Sequence, residues 1–324
     1  MKRIIAIIAG GDSSESQVSL RSAETIYQNL DRNLYEPYIV EVKGRSWQAI
    51  ADGNRYDIDR NDFSFTANGT RTVFDYAYII IHGTPGENGI FEGYLRLMEI
   101  PFSTCDVLAS ALTFNKFALN QFLKSFGVRV ADSILLRKGH SIEPEEVVSK
   151  LGLPCFIKPT AGGSSFGTTK VNSAEQIGQA IEAAFKEGDE VIIESFMDGT
   201  EVTNGYFKTS KREVKLPVTE VVPKTEFFDY DAKYNGLVTE ITPARISDDL
   251  RDRIQSLTAA IYEIVGCHGI IRVDYIITEG HKINLLEVNT TPGMTATSFI
   301  PQQIKAAGLD LKDVLTELIE DSFE

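Results

Sequence analysis

Apolar segments of strand length alternate with an amphipathic helical segment in the first third of the chain. In chain order they are the strand RIIAIIAG, the helix SLRSAETIYQNL, the strand YEPYIVEV and the strand DYAYIIIHG. This order predicts a βαβ unit with a small parallel sheet, which we expect to cover residues 1–105. Ligands of such sheets bind at the carboxyl ends of the strands, so the loops GGDSSES and HGTPGENG are candidate walls of a binding site.

The pattern changes in the middle of the chain, where strands meet across short turns that contain glycine. A helical stretch, VLASALTFNKFALNQFLKSFG, leads out of the first sheet. After it come the strand ADSILLR, the helix EPEEVVSKLG, the strand, loop and strand of FIKPTAGGSSFGTTKV, the helix SAEQIGQAIEAAFKEG and the strand EVIIESFM. Short turns between strands predict an antiparallel sheet, and we expect residues 106–198 to form a second domain.

Residues 199–324 predict a third domain. It contains strands, a polar loop rich in aromatic residues at 226–239, a long helix around DDLRDRIQSLTAAIYEIVG, a hairpin and two closing helices. There is no internal repeat and no low-complexity tract. The expected fold class is α/β with α+β character: a parallel α/β domain followed by two antiparallel α+β domains.

Composition narrows the functional classes. The chain has 324 residues, 43% hydrophobic and 24% charged, which is typical of a folded protein with two or three domains. Its formal net charge of -14 argues against a general binder of nucleic acid or of an anionic membrane, because either needs a broad basic surface. Any site for an anion must therefore be local.

Cysteine usage and the first residues indicate a cytoplasmic protein. The three cysteines, Cys105, Cys155 and Cys267, lie far apart without metal-ligand spacing, and we interpret them as small core residues. The opening MKRIIAIIAGG has too short an apolar run for a signal peptide and no A-x-A site after it, so it predicts the first strand. No apolar stretch approaches the roughly 20 residues that cross a bilayer.

The glycine-rich segment PTAGGSSFG follows Lys158 directly. Glycines let backbone N–H groups approach a ligand closely, and such a loop can hold phosphate oxygens beside the lysine. The segment is neither a P-loop nor a G-x-G-x-x-G motif. An ordinary hairpin turn explains it equally well.

The hairpin RVDYIITEGHKINLLEVN carries the most specific polar pattern. If the turn centres between Gly280 and His281, Asp274 lies opposite Glu287, Arg272 lies opposite Asn289, and all four project from one face. Three hard oxygen donors favour Mg²⁺, and the guanidinium favours an oxyanion or a phosphate. The other face, which we expect to pack, carries Val273, Tyr275, Ile277, Leu286 and Val288. The alternative is a merely solvated acidic face.

Two loops suggest further site residues. Four aromatic residues in TEFFDYDAKYNG predict a lid that excludes water, although the loop could simply dock on its own domain. In TTPGMTATSFIP, Ser298 and neighbouring N–H groups precede a helix, where they could bind a carboxylate or only cap the helix. Glu15 could accept from an ammonium or only complement a helix dipole, and His82 could be a satisfied core histidine.

Six motifs together closely resemble the D-alanine–D-alanine ligases of the ATP-grasp superfamily, in order and over almost the whole chain. They are GGDSSESQVS, HGTPGENGIFEG, FIKPTAGGSSFGTTKV, FFDYDAKY, RVDYII and LLEVNTTPGMTATS. The resemblance implies ATP held between the central and C-terminal antiparallel sheets, and formation of D-alanyl-D-alanine for peptidoglycan through a D-alanyl phosphate. It also implies a homodimer through the first domain.

The resemblance implies a role for each matching residue. ATP contacts are implied for Lys116, Lys158, Ser164 and Ser165 at the phosphates, Glu194, Phe196 and Met197 at the adenine, and Glu201 at the ribose. Asp274, Glu287 and Asn289 would hold two Mg²⁺ ions, with Mn²⁺ as a substitute. Glu15 would bind the ammonium of the first D-alanine and would be linked to Tyr234 and Ser164. Lys233 and Ser298 would bind the carboxylate of the second D-alanine, with His82 and Phe299 nearby. Arg272 and the Gly293 backbone would form the oxyanion hole.

Some features bear on specificity. Tyr234 in the lid is absent from the family's depsipeptide ligases, so the resemblance implies D-alanine rather than D-lactate as the acceptor. The chain departs from the family's common pattern at Glu92, Cys105, Asp106 and Thr297. An ATP-grasp ligase for another amino acid pair and a nucleotide-binding regulator without turnover are the alternatives, and the metal residues with Arg272 argue against the regulator.

Overall fold

Three β-sheets follow one another along the chain in this computed structural model, which describes residues 2–162, 167–223 and 238–324. A separate two-stranded hairpin accompanies the first sheet. The α-helices of the described residues are α1 (Ser16–Asn29), α2 (Ile90–Leu97), α3 (Val107–Phe114), α4 (Lys116–Lys124), α5 (Pro144–Leu151), α6 (Ile177–Ala184), α7 (Asp248–Val265), α8 (Phe299–Ala306) and α9 (Leu311–Asp321).

The first sheet confirms the predicted βαβ unit and extends it. Its strands and those of the small hairpin are β1 (Arg3–Gly10), β2 (Tyr35–Lys43), β3 (Ser46–Ala51), β4 (Asn54–Asp57), β5 (Ser64–Ala67), β6 (Thr70–Val73) and β7 (Tyr76–Ile79). The order is β4-β3-β2-β1-β7, with β1 parallel to both β2 and β7. Beyond this predicted parallel part, β3 and β4 extend the sheet at one edge in antiparallel fashion through tight turns. Both candidate loops follow the carboxyl ends of β1 and β7, as predicted.

The second sheet is antiparallel throughout, as the glycine-containing turns predicted. It consists of β8 (Ser133–Arg137), β9 (Cys155–Pro159), β10 (Thr169–Val171) and β11 (Glu190–Ser195), in the order β10-β9-β11-β8. Alternate residues such as Ile157 and Ile193 pack with α5 and α6 in one core. Since side chains alternate along a strand, Lys158 and Glu194 project from the opposite face.

The third sheet is also antiparallel and backs onto the long helix α7. Its strands are β12 (Gly199–Lys208), β13 (Glu213–Lys215), β14 (Thr219–Pro223), β15 (Val238–Ile241), β16 (Ile270–Thr278) and β17 (Lys282–Asn289). The order is β15-β14-β12-β16-β17, and β13 pairs with β12. Ile254 and Ile261 of α7 share a buried cluster with Val273 and Tyr275 of β16. The face of the sheet away from α7 is therefore available to a ligand.

The β16–β17 hairpin has the predicted pairs at its polar end but slips by one residue beyond them. Arg272 pairs with Asn289 and Asp274 with Glu287, whereas Tyr275 pairs with Leu285. This bulge moves the turn centre to Gly280 and reverses the predicted direction of one side chain. Leu285, not Leu286, enters the core, and the prediction that Leu286 packs there is wrong.

The predicted helical stretch between the first two sheets is broken in two. Asn115 separates α3 from α4, and its Oδ1 caps α4 by accepting from the Ala118 N–H at 3.0 Å. The break places Lys116 at the first position of α4. Of the predicted lid at 226–239, residues 226–237 lie outside the described residues, and the last two belong to β15.

The interpretation of the three cysteines as small core residues agrees with the structure. Cys105, Cys155 and Cys267 are buried and free. No helix in the described part of the chain is long and apolar enough to span a membrane.

Candidate active site

A cleft of about 1090 Å³ lies where the three sheets meet. It is lined by fifteen of the residues that the sequence singled out: Glu15, His82, Lys116, Lys158, Glu194, Phe196, Met197, Glu201, Arg272, Asp274, Glu287, Asn289, Gly293, Ser298 and Phe299. The remaining predicted site residues, Ser164, Ser165, Lys233 and Tyr234, lie outside the described residues. The structure thus brings together residues up to 284 positions apart in sequence (299 minus 15).

Four polar side chains of the β16–β17 hairpin face the cleft together. Arg272 donates from Nε to Oδ1 of Asp274 at 2.9 Å and from Nη2 to Oδ2 at 2.8 Å. Its Nη2 also lies 3.8 Å from Oε1 of Glu287, and Asn289 donates from Nδ2 to Oδ2 of Asp274 at 3.2 Å. Two carboxylates and an amide thus share one patch with a single guanidinium.

The charges of this patch keep Arg272 protonated. Burial alone would lower the pKa of Arg272, but the nearby carboxylates of Asp274, Glu287 and Glu87 outweigh burial and raise that pKa above its ordinary value. The guanidinium also lies over the ring of Phe299, with Cζ 5.4 Å from the ring centroid. A permanent positive charge is thus held at the wall of the cleft, where it can stabilise a negative oxygen.

Lys116 connects the glycine-rich segment with this patch. Its Nζ donates to the Gly162 carbonyl at 2.8 Å and lies 4.0 Å from Oε2 of Glu287. Its backbone N–H donates to the Thr160 carbonyl at 2.8 Å, so the start of α4 is fixed to the same segment. The ammonium group therefore lies between the segment predicted to hold phosphates and the acidic pair.

Lys158 forms an ion pair inside the cleft. Its Nζ lies 2.5 Å from Oε2 of Glu194, and both side chains are nearly buried. Asn120 of α4 donates from Nδ2 to Oε1 of the same carboxylate at 2.9 Å. Glu194 is thus held through both of its oxygens.

An aromatic and apolar wall borders the ion pair. The rings of Phe156 and Phe196 lie 6.0 Å apart, and Lys170 places Nζ 4.5 Å from the centroid of the Phe196 ring. Met197 and Leu286 line the same cleft. Such a wall suits a flat ring that carries few charges.

The first sheet closes the other end of the cleft with Glu15, His82 and Glu87. His82 Nδ1 lies 3.0 Å from the Thr291 carbonyl, so this nitrogen carries the proton, while no partner for Nε2 is found among the described residues. Glu87 accepts from the Gly83 N–H at 2.7 Å. Burial raises the pKa of Glu87, although His82 nearby opposes the rise. An acidic and a basic group thus face the cleft together.

The loop after β17 supplies a small polar pocket. Ser298 is at the N-cap position of α8, yet its side chain makes no capping bond and instead lies 2.7 Å from the Thr295 hydroxyl oxygen. A Cβ on Gly293 would come within 3.0 Å of Ser298 Oγ. The absence of a side chain at Gly293 therefore keeps the Ser298 hydroxyl and the nearby N–H groups close to the cleft. The alternative that Ser298 only caps the helix is wrong.

Sequence reasoning missed two cleft residues and one buried residue that is bonded to a cleft carboxylate. Glu87 lies in the quoted motif HGTPGENG and could have been named as a second polar group beside His82. Leu286 was misplaced because a β-bulge leaves no simple sequence signal. Asn120 gave only a weak signal, a single amide on the apolar face of a helix between Leu119 and Leu123.

The hairpin patch fits a divalent cation with few protein ligands. No cluster of three or more His, Cys, Asp and Glu side chains able to hold a metal ion occurs within residues 2–162, 167–223 and 238–324. Mg²⁺ needs no such cluster, because it keeps several waters and is completed by substrate phosphates. Asp274, Glu287 and Asn289 offer three hard oxygen donors on one face, and this donor set fits that ion.

Two antiparallel sheets that face each other across a cleft lined by lysines form the ATP-grasp fold, and here a mixed sheet with a parallel centre precedes them. The families described as D-ala D-ala ligase N-terminus and D-ala D-ala ligase C-terminus match residues 4–105 and 122–320. The D-alanine--D-alanine ligase of Phocaeicola vulgatus is 64% identical over 324 residues, all of each chain. The chain belongs to the D-alanine–D-alanine ligase family.

Two solved structures resemble this one over nearly their full lengths. The VanG D-Ala:D-Ser ligase from Enterococcus faecalis has a TM-score of 0.88 and 31% identity, covering 99% of this chain and 100% of that one. The D-alanine--D-alanine ligase from Bacillus anthracis complexed with ATP has a TM-score of 0.78 and 26% identity, covering 99% of this chain and 97% of that one. The similarity extends over all three sheets.

Proposed function

We propose that this protein joins two D-alanine molecules into D-alanyl-D-alanine for peptidoglycan synthesis, with conversion of ATP to ADP and phosphate. The observation that carries the proposal is the single cleft in which Lys116, Arg272 and the Asp274–Glu287 pair meet. Joining a carboxylate to an amine requires activation of the carboxylate, and this charge pattern suits transfer of a phosphoryl group. Full-length identity to curated ligases supports the same reaction.

ATP occupies the part of the cleft between the second and third sheets in this proposal. Phe196, Met197 and Leu286 contact the adenine face, and Glu194 accepts a hydrogen bond from its exocyclic amine. Glu201 contacts the ribose. The phosphates extend toward Lys116 and the glycine-rich segment, where Ser164 and Ser165 are expected to contribute.

The carboxylate of the first D-alanine attacks the γ-phosphorus, and ADP leaves. Asp274, Glu287 and Asn289 would hold Mg²⁺, which when bound would neutralise the charge that develops on the phosphate oxygens. Lys116 adds a positive charge beside Glu287, and Glu15 accepts from the substrate's ammonium group. The product of this step is an acyl phosphate.

The free amine of the second D-alanine then attacks the acyl carbon. A tetrahedral intermediate with a negative oxygen forms and expels phosphate, which leaves the dipeptide. Arg272 and the Gly293 N–H stabilise that oxygen, and removal of one such donor typically costs about 3 to 4 kcal/mol. Ser298 and Lys233 bind the second carboxylate, with His82 and Phe299 beside the substrates.

The acceptor is an amine in this proposal, since Tyr234 of the sequence matches the lid tyrosine of dipeptide ligases. The similar VanG enzyme is a D-Ala:D-Ser ligase, so the acceptor must be tested directly. We expect ATP-dependent dipeptide formation with D-alanine to exceed that with D-serine or D-lactate at neutral pH. Products are identified by mass spectrometry, and a majority of D-alanyl-D-lactate or D-alanyl-D-serine would overturn the acceptor assignment.

We also propose that the protein works in the cytosol as a homodimer with the three domains 1–105, 106–198 and 199–324. Free, buried cysteines suit a reducing compartment. Leu97 of α2 and Leu108 of α3 are 79% and 78% exposed, and a contact between two copies would cover such residues. The Arg96–Asp106 ion pair connects these two helices at 2.7 Å.

A further inference from the structure

The least explained polar side chain near the cleft is Asn120 of α4. It is 2% exposed, and its Oδ1 has no hydrogen-bond partner among the described residues. A buried acceptor without a partner destabilises a fold, so a leucine would suit this apolar helix face better. The amide therefore calls for an explanation other than stability.

The orientation of the amide is fixed by its neighbour. Nδ2 donates to Oε1 of Glu194 at 2.9 Å, and the reverse orientation would direct an amide oxygen at a carboxylate. Lys158 holds the other oxygen, Oε2, at 2.5 Å. The carboxylate thus has one donor on each oxygen and cannot rotate freely.

A fixed carboxylate selects between purine bases. Glu194 lines the cleft beside Phe196, so its remaining lone pairs accept from a donor on a ring bound there. An exocyclic amine supplies that donor, whereas a carbonyl at the same ring position would direct an acceptor at an acceptor. Without Asn120, Glu194 could turn toward Lys158 and pair with it through both oxygens.

Helix α4 aligns this group with the phosphate end of the nucleotide. Lys116 and Asn120 are four residues apart and therefore lie on the same face of α4. Lys116 contacts the glycine-rich segment, and Asn120 contacts the base-facing carboxylate. A single rigid element thus sets the distance between the two ends of the ligand.

We propose that Asn120 is a positioning residue that makes the protein select a 6-aminopurine over a 6-oxopurine nucleotide, an inference that rests on the proposed ATP-dependent ligation. Asn120 acts through Glu194 and touches neither the reacting phosphate nor D-alanine. Its loss should therefore affect nucleotide affinity and base selection while leaving the chemical step intact.

The test compares ATP with ITP as the nucleotide at saturating D-alanine. In Asn120→Leu we expect the KM for ATP to rise about ten- to a hundredfold, which corresponds to the loss of one charge-assisted hydrogen bond. We expect kcat to stay within about twofold, and the ratio of kcat/KM for ATP over ITP to fall by a similar factor. If the leucine variant does not fold, Asn120→Asp replaces it, because aspartate keeps the shape of the side chain. At pH 8 it should show the same rise in KM for ATP and the same fall in the ATP-to-ITP ratio.

Asn204 provides a matched control. It is also buried, and its Oδ1 has no partner among the described residues. Its Nδ2 donates to the backbone carbonyl of Leu216 at 2.7 Å. Asn204→Leu should leave the ATP-to-ITP ratio unchanged. An unchanged ratio in both Asn120 variants would overturn the inference. Wild-type protein without D-alanine-dependent turnover would instead overturn the proposed function, so the two failures are distinguishable.

Discussion

Arg272 donates to both carboxylate oxygens of Asp274, from Nε to Oδ1 at 2.9 Å and from Nη2 to Oδ2 at 2.8 Å. A carboxylate held in this way has its charge balanced by the guanidinium. The same carboxylate is proposed to bind Mg²⁺, and the same guanidinium is proposed to stabilise the oxyanion. Binding of the metal and release of Arg272 toward the substrate are therefore expected to be coupled.

Replacement of Arg272 by methionine should have opposite effects on metal binding and on catalysis. In the absence of nucleotide, Mn²⁺ should bind about tenfold more tightly, because the variant lacks the positive charge beside Asp274 and Glu287 that repels the cation. Turnover with D-alanine should fall by about a hundred- to a thousandfold. Electron paramagnetic resonance measures the free Mn²⁺. Arg245→Met, which breaks a similar bidentate pair with Glu220, is the control, and weaker Mn²⁺ binding in Arg272→Met would contradict the coupling.

Local sequence patterns predicted much of this site. The two pairs Arg272–Asn289 and Asp274–Glu287 follow from side-chain alternation and a short turn. The slip beyond Asp274 could not be predicted, because a bulge depends on how Leu285 fits the core under α7. The approach of Glu15 to a hairpin more than 250 residues later, from 15 to 274, came only from family resemblance, since no local pattern encodes contacts between domains.

The bulge makes two neighbouring leucines unequal. Leu285 is 1% exposed in the core, so Leu285→Ala should destabilise the protein by about 2 to 5 kcal/mol. Leu286 lines the cleft, so Leu286→Ala should change stability by less than about 1 kcal/mol and raise the KM for ATP several-fold. Urea denaturation and initial rates measure the two effects. The reverse order of stabilities would show that the predicted, unslipped register is right.

Burial of Glu92 should make the stability of the protein depend on pH. Its side chain is fully buried and neither carboxyl oxygen has a partner among the described residues, since the nearby Ser110 hydroxyl donates to the Cys105 carbonyl. Burial raises the pKa of Glu92 to about 8. Below the ordinary carboxyl pKa, Glu92 is protonated in both the folded and the unfolded state. Between that value and about 8 only the unfolded chain ionises, so stability falls as pH rises and levels off above 8.

Glu92→Gln should remove this dependence, because glutamine stays neutral. The variant should gain stability over wild type by up to about 1.4 kcal/mol for each pH unit in that window, with little difference at pH 4.5. Chemical denaturation at pH 5, 6, 7 and 8 measures the gain. The exposed Glu182→Gln is the control, and a gain that does not grow with pH would contradict the account of Glu92.

The exposed leucines of α2 and α3 predict where two copies meet. Leu97→Glu combined with Leu108→Glu should convert a dimer to a monomer, because two buried charges would face each other without partners. Light scattering after gel filtration measures the mass. Phe126→Glu, an exposed apolar residue outside this surface, should leave the dimer intact. A double variant that remains dimeric would place the interface elsewhere.

Ligation through an acyl phosphate is tested most directly by measuring inorganic phosphate and dipeptide together, in wild type and in Asp274→Asn, with ATP, Mg²⁺ and D-alanine. Wild type should release one phosphate for each D-alanyl-D-alanine, and the rate should fall by at least about a hundredfold in the variant, because a ligand of the catalytic cation is weakened. Phosphate release without dipeptide, or an unchanged rate in Asp274→Asn, would contradict this mechanism.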